Sequence, residues 1–233
     1  MAEKLKSVLG PIHWSLLLKA LAASGVWLLS PNLAALFVAV IYFLPPYKNG
    51  AYLLPFFVLE YVLLNTQPSL LLTLLIGVAV YTLLGVKNLI LIDRATSFQA
   101  CITLLFFFLW ALFFEGQQEF YSLSILLTLV GLSLLFYLLS AQLVRLKTAS
   151  TIGHHRLVLG LGAFLMFEWA LVTYFLPLPV AFQTALALLA TGFLLECLSQ
   201  YLVGSLARKN AITYFSVFLP LFVMIVIISP WGI

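Results

Sequence analysis

The feature that most constrains this chain is a series of apolar runs separated by short polar breaks. Each run is about as long as a membrane-spanning helix, which needs roughly 20 apolar residues. Of the 233 residues, 64% are hydrophobic and 8% are charged, whereas a soluble domain is roughly a quarter charged. So little polar surface could not cover a soluble core. The sequence therefore predicts a polytopic membrane protein and excludes a cytosolic enzyme, a secreted disulfide scaffold and a disordered chain.

The runs predict an all-α bundle of about nine transmembrane helices joined by short loops, in a single transmembrane domain over 1–233 with no soluble domain. Unbroken apolar runs favour helices, because the strands of a barrel would alternate polar and apolar residues. Thr96 and Gln99 have the spacing of a capping box, which predicts a helix start at that point. The predicted spans are 12–30, 32–46, 49–65, 69–92, 96–114, 120–144, 157–176, 180–204 and 211–229.

Lysine and arginine are distributed unevenly among the predicted loops. The N-terminal segment and every second loop carry them, whereas the loops at 30–32, 65–69, 115–119 and 177–179 have none. Basic residues concentrate in cytoplasmic loops. This pattern predicts a cytoplasmic N-terminus, an external C-terminus and a multi-pass protein of the bacterial inner membrane. The net charge of +4 is accordingly interpreted as a topology signal, so no nucleic-acid partner is expected.

Three glutamates lie inside predicted spans: Glu60, Glu168 and Glu196. At 1.5 Å per residue, they lie roughly 16, 16 and 12 Å from the cytoplasmic ends of their spans. Lys19 lies about 10 Å deep by the same measure, and Gln200 follows Glu196 by four residues on one helix face. Charged side chains in a span usually face the bundle interior or a water-filled cavity. These five residues are therefore the predicted intramembrane polar site.

The glutamate layer has two interpretations. If the three acids share one cavity, their mutual repulsion would hold a proton near neutral pH, as a proton or cation pathway or a site for a cationic substrate requires. The alternative is that each acid is neutral or paired and only fixes helix packing. Gly192 and Gly204 extend the four-residue spacing of Glu196 and Gln200, and small residues of this kind let a neighbouring helix approach closely.

A second polar cluster lies in the longest predicted loop, which connects the sixth and seventh spans. Basic side chains at the cytoplasmic surface attract anionic lipid headgroups, so this loop is predicted to contact them. The adjacent histidines have no third ligand nearby in the sequence, and no metal site is predicted. The predicted headgroup-contact residues are Arg145, Lys147, His154, His155 and Arg156.

The sequence contains no recognisable catalytic motif. Zinc-protease, nucleophile-elbow, phosphate-loop and dinucleotide signatures are all missing from it, so no catalytic residue and no cofactor are predicted. Cys101 and Cys197 lie in apolar runs and form no paired motif. The phenylalanines at 106–108 and 113–114 are expected on a lipid-facing or partner-facing surface.

Three classes of function remain open. The first is a small permease or proton- or cation-coupled transporter built on the glutamate layer. The second is a non-catalytic membrane subunit or scaffold of a larger complex, with protein partners or further copies of itself. The third is a membrane enzyme that modifies lipid headgroups near 145–156. Membrane lipids are expected partners in all three, because the chain is mostly apolar.

Overall fold

The computed structural model describes residues 13–44, 52–88, 93–116, 122–147, 155–204 and 208–230. Within these ranges the chain forms nine α-helices and no β-strand. We number the helices in chain order. They are α1 (Trp14–Leu29), α2 (Pro31–Phe43), α3 (Leu53–Asn65), α4 (Leu70–Lys87), α5 (Arg94–Glu115), α6 (Ser122–Lys147), α7 (Arg156–Phe175), α8 (Val180–Val203) and α9 (Arg208–Ile228).

The predicted all-helical architecture is confirmed for these residues. Each helix coincides with one of the predicted apolar runs. Five segments are long and apolar enough to cross a membrane: Leu70–Lys87, Arg94–Glu115, Leu123–Lys147, Arg156–Phe175 and Val180–Val203. The other four apolar helical stretches are shorter, at 10–17 residues: Trp14–Leu29, Pro31–Phe43, Leu53–Asn65 and Ile212–Ile228. The long apolar helices identify a membrane-embedded helical protein.

Short polar residues determine where several helices begin. Ser30 caps α2 by accepting a hydrogen bond from the Leu33 backbone N–H at 3.5 Å, and Pro31 is the first residue of that helix, where a missing N–H costs nothing. At α5 the capping-box prediction was wrong. The backbone N–H of Thr96 donates to Asp93 Oδ1 at 3.0 Å. The side chain that caps the helix is therefore that of Asp93 and not that of Thr96. The helix therefore starts two residues early, at Arg94.

By its internal contacts, the chain divides into two compact units, 1–105 and 106–233. In the first unit, α1 packs against α2 and α4, while α3 packs against α2 and α4. The Trp27 indole N–H donates to the Leu63 carbonyl at 2.9 Å. Gly77 faces Ser24 across α1 and α4, and a Cβ there would lie 3.4 Å from Ser24 Oγ, an ordinary van der Waals distance.

In the second unit, α7 packs between α6 and α8, α6 also contacts α8, and α9 packs against α8. The Trp110 indole N–H donates to Thr191 Oγ1 at 3.0 Å. A Cβ at Gly162 would lie only 2.5 Å from Leu198 Cδ1, so any side chain at this position would force Leu198 to shift.

Helix α5 contains the division between the units, which falls after Leu105. Its phenylalanines correct the sequence-based expectation. Phe106, Phe108, Phe113 and Phe114 are at most 3% exposed, although a lipid-facing or partner-facing surface was expected for them. Hydropathy cannot separate these alternatives, because a buried span and a lipid-facing span are equally apolar.

Candidate functional site

A groove between α8 and α9 combines an apolar wall with a polar end. Its volume is about 640 Å³, within the usual range of ligand sites, which is roughly 300–1,000 Å³. Along most of its length the lining side chains are aliphatic or aromatic. Glu196, Thr213 and Tyr214 supply the polar groups. The groove is therefore amphipathic, as are many molecules that dissolve in a bilayer.

The spacing of residues on α8 creates the groove. Gly192 and Glu196 are four residues apart, so they lie one above the other on the helix face that is turned toward α9. A Cβ at Gly192 would meet no atom within 4 Å. The missing side chain thus leaves space directly beside the carboxylate. The Phe218 ring of α9 packs on Phe193, with ring centroids 4.7 Å apart, and holds the two helices together along the wall.

Hydrogen bonds orient the carboxylate at the polar end. The Gln200 side-chain amide donates to Glu196 Oε1 at 2.7 Å, and the Tyr214 hydroxyl donates to the same oxygen at 3.3 Å. The Gln200 amide also contacts the Tyr214 hydroxyl. The Gln200 amide and the Tyr214 hydroxyl thus hold Glu196 Oε1 in a fixed orientation at the polar end of the groove.

A basic residue reaches this cluster from α6. Lys147 Nζ donates to Ser199 Oγ at 2.9 Å, and Ser199 Oγ donates to the Glu196 backbone carbonyl at 3.0 Å. The cluster, which we call the Glu196 cluster, therefore comprises Lys147, Glu196, Ser199, Gln200 and Tyr214. It contains both signs of charge at one end of an apolar groove.

The other members of the predicted polar site differ in burial. Glu168 is exposed on α7, in the same unit as Glu196. Glu60 is half-buried in the first unit, and its Oε1 atom is buried without a hydrogen-bond partner among the described residues. Lys19 is exposed on α1. Of the five predicted residues, the structure joins Glu196 and Gln200 by a hydrogen bond.

The predicted headgroup-contact residues flank the connection between α6 and α7. Arg145 and Arg156 are exposed at the end of α6 and the start of α7. His155 is half-buried immediately before α7 and makes no side-chain capping bond to it. His154 lies outside the described residues. Lys147 differs from the two arginines because it is half-buried and hydrogen-bonded in the Glu196 cluster.

Two polar residues make contacts that could not be predicted from the sequence. Tyr214 is not among the predicted site residues, because its pairing with α8 depends on how α9 packs. Lys87 is not among them either, and its side chain is fully buried. The Lys87 ammonium donates to the Tyr42 carbonyl and lies 4.1 Å from the centre of the Tyr42 ring. The only feature of the sequence that pointed to the burial of Lys87 was its position at the end of an apolar run.

Metal-binding groups do not gather in the described part of the chain. No set of three or more histidine, cysteine, aspartate or glutamate side chains there is arranged to hold an ion. Cys101 is a buried free thiol and Cys197 is a half-buried one. The chain matches no protein-family model, no curated protein and no solved structure.

Proposed function

We propose that this protein binds a membrane-dissolved amphiphile in the α8–α9 groove, with a cationic head at Glu196 and its hydrocarbon chain along the apolar wall. The observation that carries this proposal is the presence of an oriented carboxylate at one end of an otherwise apolar groove. An ammonium head gains a charge-assisted hydrogen bond from such a carboxylate. The hydrocarbon chain gains dispersion contacts with the wall.

The dimensions support a single-chain ligand. The groove-lining residues of α8 extend from Ala185 to Glu196, a helix length of about 16 Å. A tetradecyl chain has a comparable length. A head that carries a phosphate beside its ammonium would also find Lys147 nearby, bonded to Ser199. An amine-bearing lipid or detergent-like molecule is therefore the proposed ligand class.

We further propose that the protein is a small permease and that binding of the amphiphile is one step of its transport cycle. Glu196 would exchange a proton for the ammonium head, because one carboxylate cannot hold both at once. In this proposal the nine helices all cross a bacterial inner membrane, as one transmembrane domain with a cytoplasmic N-terminus and an external C-terminus. The absence of Lys and Arg from alternate loops supports that orientation. A reporter fused after Lys147 should then be cytoplasmic, and one fused after Ile233 external.

A binding titration tests whether the groove is the ligand site. The full chain in nanodiscs is titrated with a fluorescent tetradecyl ammonium probe, and with a tetradecyl sulfate probe for comparison. Glu196→Gln should weaken ammonium binding at least tenfold, about 1.4 kcal/mol, and should not weaken sulfate binding, because the amide removes a charge that repels the sulfate. Gly192→Leu should block both probes, because its side chain fills the space beside Glu196.

A matched glycine provides the control. Gly25 on α1 is exposed, and a Cβ there would also meet no atom within 4 Å. Gly25→Leu adds the same side chain to a helix outside the groove and should leave binding unchanged. If ammonium and sulfate bind equally well to wild type, or if Gly192→Leu binds as tightly as Gly25→Leu, the proposed groove site is wrong.

A further inference from the structure

Helix α7 presents an apolar face that the described residues of the second unit leave uncovered. The side chains of this face are between 50% and 82% exposed. They recur at intervals of three, four and seven residues and so form one stripe along the helix. The exposed apolar residues of the stripe are Leu157, Leu161, Phe164, Leu165, Val172 and Phe175.

Glu168 lies at the centre of this stripe. It is exposed and lies about 18 Å along the helix from Arg156. Within the described part of the chain, no hydrogen bond or ion pair reaches its carboxylate. A charge at the centre of a span is costly against lipid, and such residues almost always pair or face protein. The position of Glu168 therefore indicates that protein covers this face.

The surroundings of the stripe fit a helix. A second groove of about 520 Å³ lies between α6 and α7 and shares Phe164 with the stripe. Gly160 on α7 and Gly131 on α6 are exposed, and a Cβ on either would meet no atom within 4 Å. Exposed small residues allow another backbone to approach closely, which is how helices associate in membranes.

We propose that this α7 face binds a transmembrane helix of a partner protein that carries a lysine or arginine at the depth of Glu168. Charge complementarity selects this occupant. A second copy joined by a two-fold axis through the α7 faces would bring the two Glu168 carboxylates together, and like charges repel strongly in low dielectric. Glu168 does not line the α8–α9 groove, so this interface is separate from the proposed ligand site.

Association with designed helices tests the interface. The full chain, labelled with a donor fluorophore, is reconstituted in liposomes with an acceptor-labelled polyleucine transmembrane peptide that carries one lysine at the matching depth. A polyleucine peptide without lysine and one with the lysine moved to its end are the reference probes. We expect at least tenfold tighter association of the matched peptide, and Glu168→Gln should remove that advantage.

A second variant distinguishes close helix contact from charge attraction alone. Gly160→Leu should weaken binding of the matched peptide about tenfold, whereas the control Gly25→Leu should not. Equal association of the three peptides, or an unchanged affinity in Glu168→Gln, overturns the proposal. Self-association of the chain that depends on Glu168 and is not displaced by the peptide also overturns it, in favour of a second copy. Ammonium binding in the α8–α9 groove is measured on the same variants and should not change.

Discussion

The two units each contain a lysine at the C-terminal end of an apolar helix, and the two lysines lie in different environments. In the first unit, Lys87 is fully buried, and Tyr42, whose carbonyl it binds, stacks on Phe56 with ring centroids 4.3 Å apart. In the second unit, Lys147 is half-buried and bonds to Ser199, which donates to the backbone carbonyl of Glu196. One lysine is enclosed, and the other belongs to a cluster whose carboxylate lines a groove.

This difference separates a charge that joins two helices from a charge that belongs to a polar cluster beside a groove. The Tyr42 carbonyl lies in the last turn of α2, where backbone carbonyls lack helical partners and a cation is stabilising. Lys87 therefore links the C-terminal end of α4 to the C-terminal end of α2. The Glu196 cluster has a carboxylate that the Gln200 amide and the Tyr214 hydroxyl orient, and this carboxylate lines a groove. The carboxylate therefore borders a cavity, whereas Lys87 is buried.

Removing the enclosed lysine should have the largest effect on stability. Lys87→Ala leaves a cavity and removes the donor to the Tyr42 carbonyl, which together should cost about 2–4 kcal/mol. Lys147→Ala is the matched control and should cost about 1 kcal/mol or less, because its hydrogen bond is half exposed. Unfolding in mixed micelles by a graded denaturing detergent measures both variants. Equal losses would show that the two lysines have the same structural role.

Substitution of each glutamate tests whether Glu196 differs in its role from Glu60 and Glu168. Transfer of the fluorescent ammonium probe between leaflets is followed in proteoliposomes with an imposed pH gradient. Glu196→Gln should lower the gradient-dependent rate about tenfold, equivalent to about 1.4 kcal/mol, because the amide cannot exchange a proton. Glu60→Gln and Glu168→Gln should stay within about twofold of wild type.

The opposite result would favour the sequence-based hypothesis of one glutamate layer. If Glu60→Gln and Glu168→Gln each abolish the transfer as fully as Glu196→Gln does, the three acids act together, as their similar depths suggest. Folding is checked for each variant by unfolding in mixed micelles, since an amide is cheaper to bury than an ionised acid. No loss in any of the three variants would contradict the permease proposal and leave groove binding to be judged by its own titration.

The helices were predictable from the sequence, and their environments were not. Apolar run length places all nine helices to within a few residues, except that α4 ends at Lys87 whereas its predicted span continued to residue 92. Hydropathy could not distinguish the buried Phe106 from the exposed Phe164, because lipid and protein interiors are equally apolar. Gln200 was found by its four-residue spacing from Glu196, whereas Tyr214 comes from another helix and needed the tertiary packing. Glu168 and Glu196 look alike in sequence, yet they lie on different surfaces of one unit.

The smallest expected effect concerns Arg156, which follows the connection between α6 and α7. Arg156 is exposed at the start of α7, whereas Lys147 is already bonded to Ser199. Arg156→Gln should weaken retention of an anionic lipid in nanodiscs by about 1 kcal/mol, the usual contribution of one surface charge, and the difference should shrink as salt is raised. Lys147→Gln should have less effect, because part of its hydrogen-bonding capacity is used within the protein. Lipid retained after purification at low and high salt is measured by mass spectrometry. A larger effect of Lys147→Gln than of Arg156→Gln would mean that the Glu196 cluster itself holds the anionic headgroup, and the ammonium ligand proposed for the groove would then have to carry a phosphate as well.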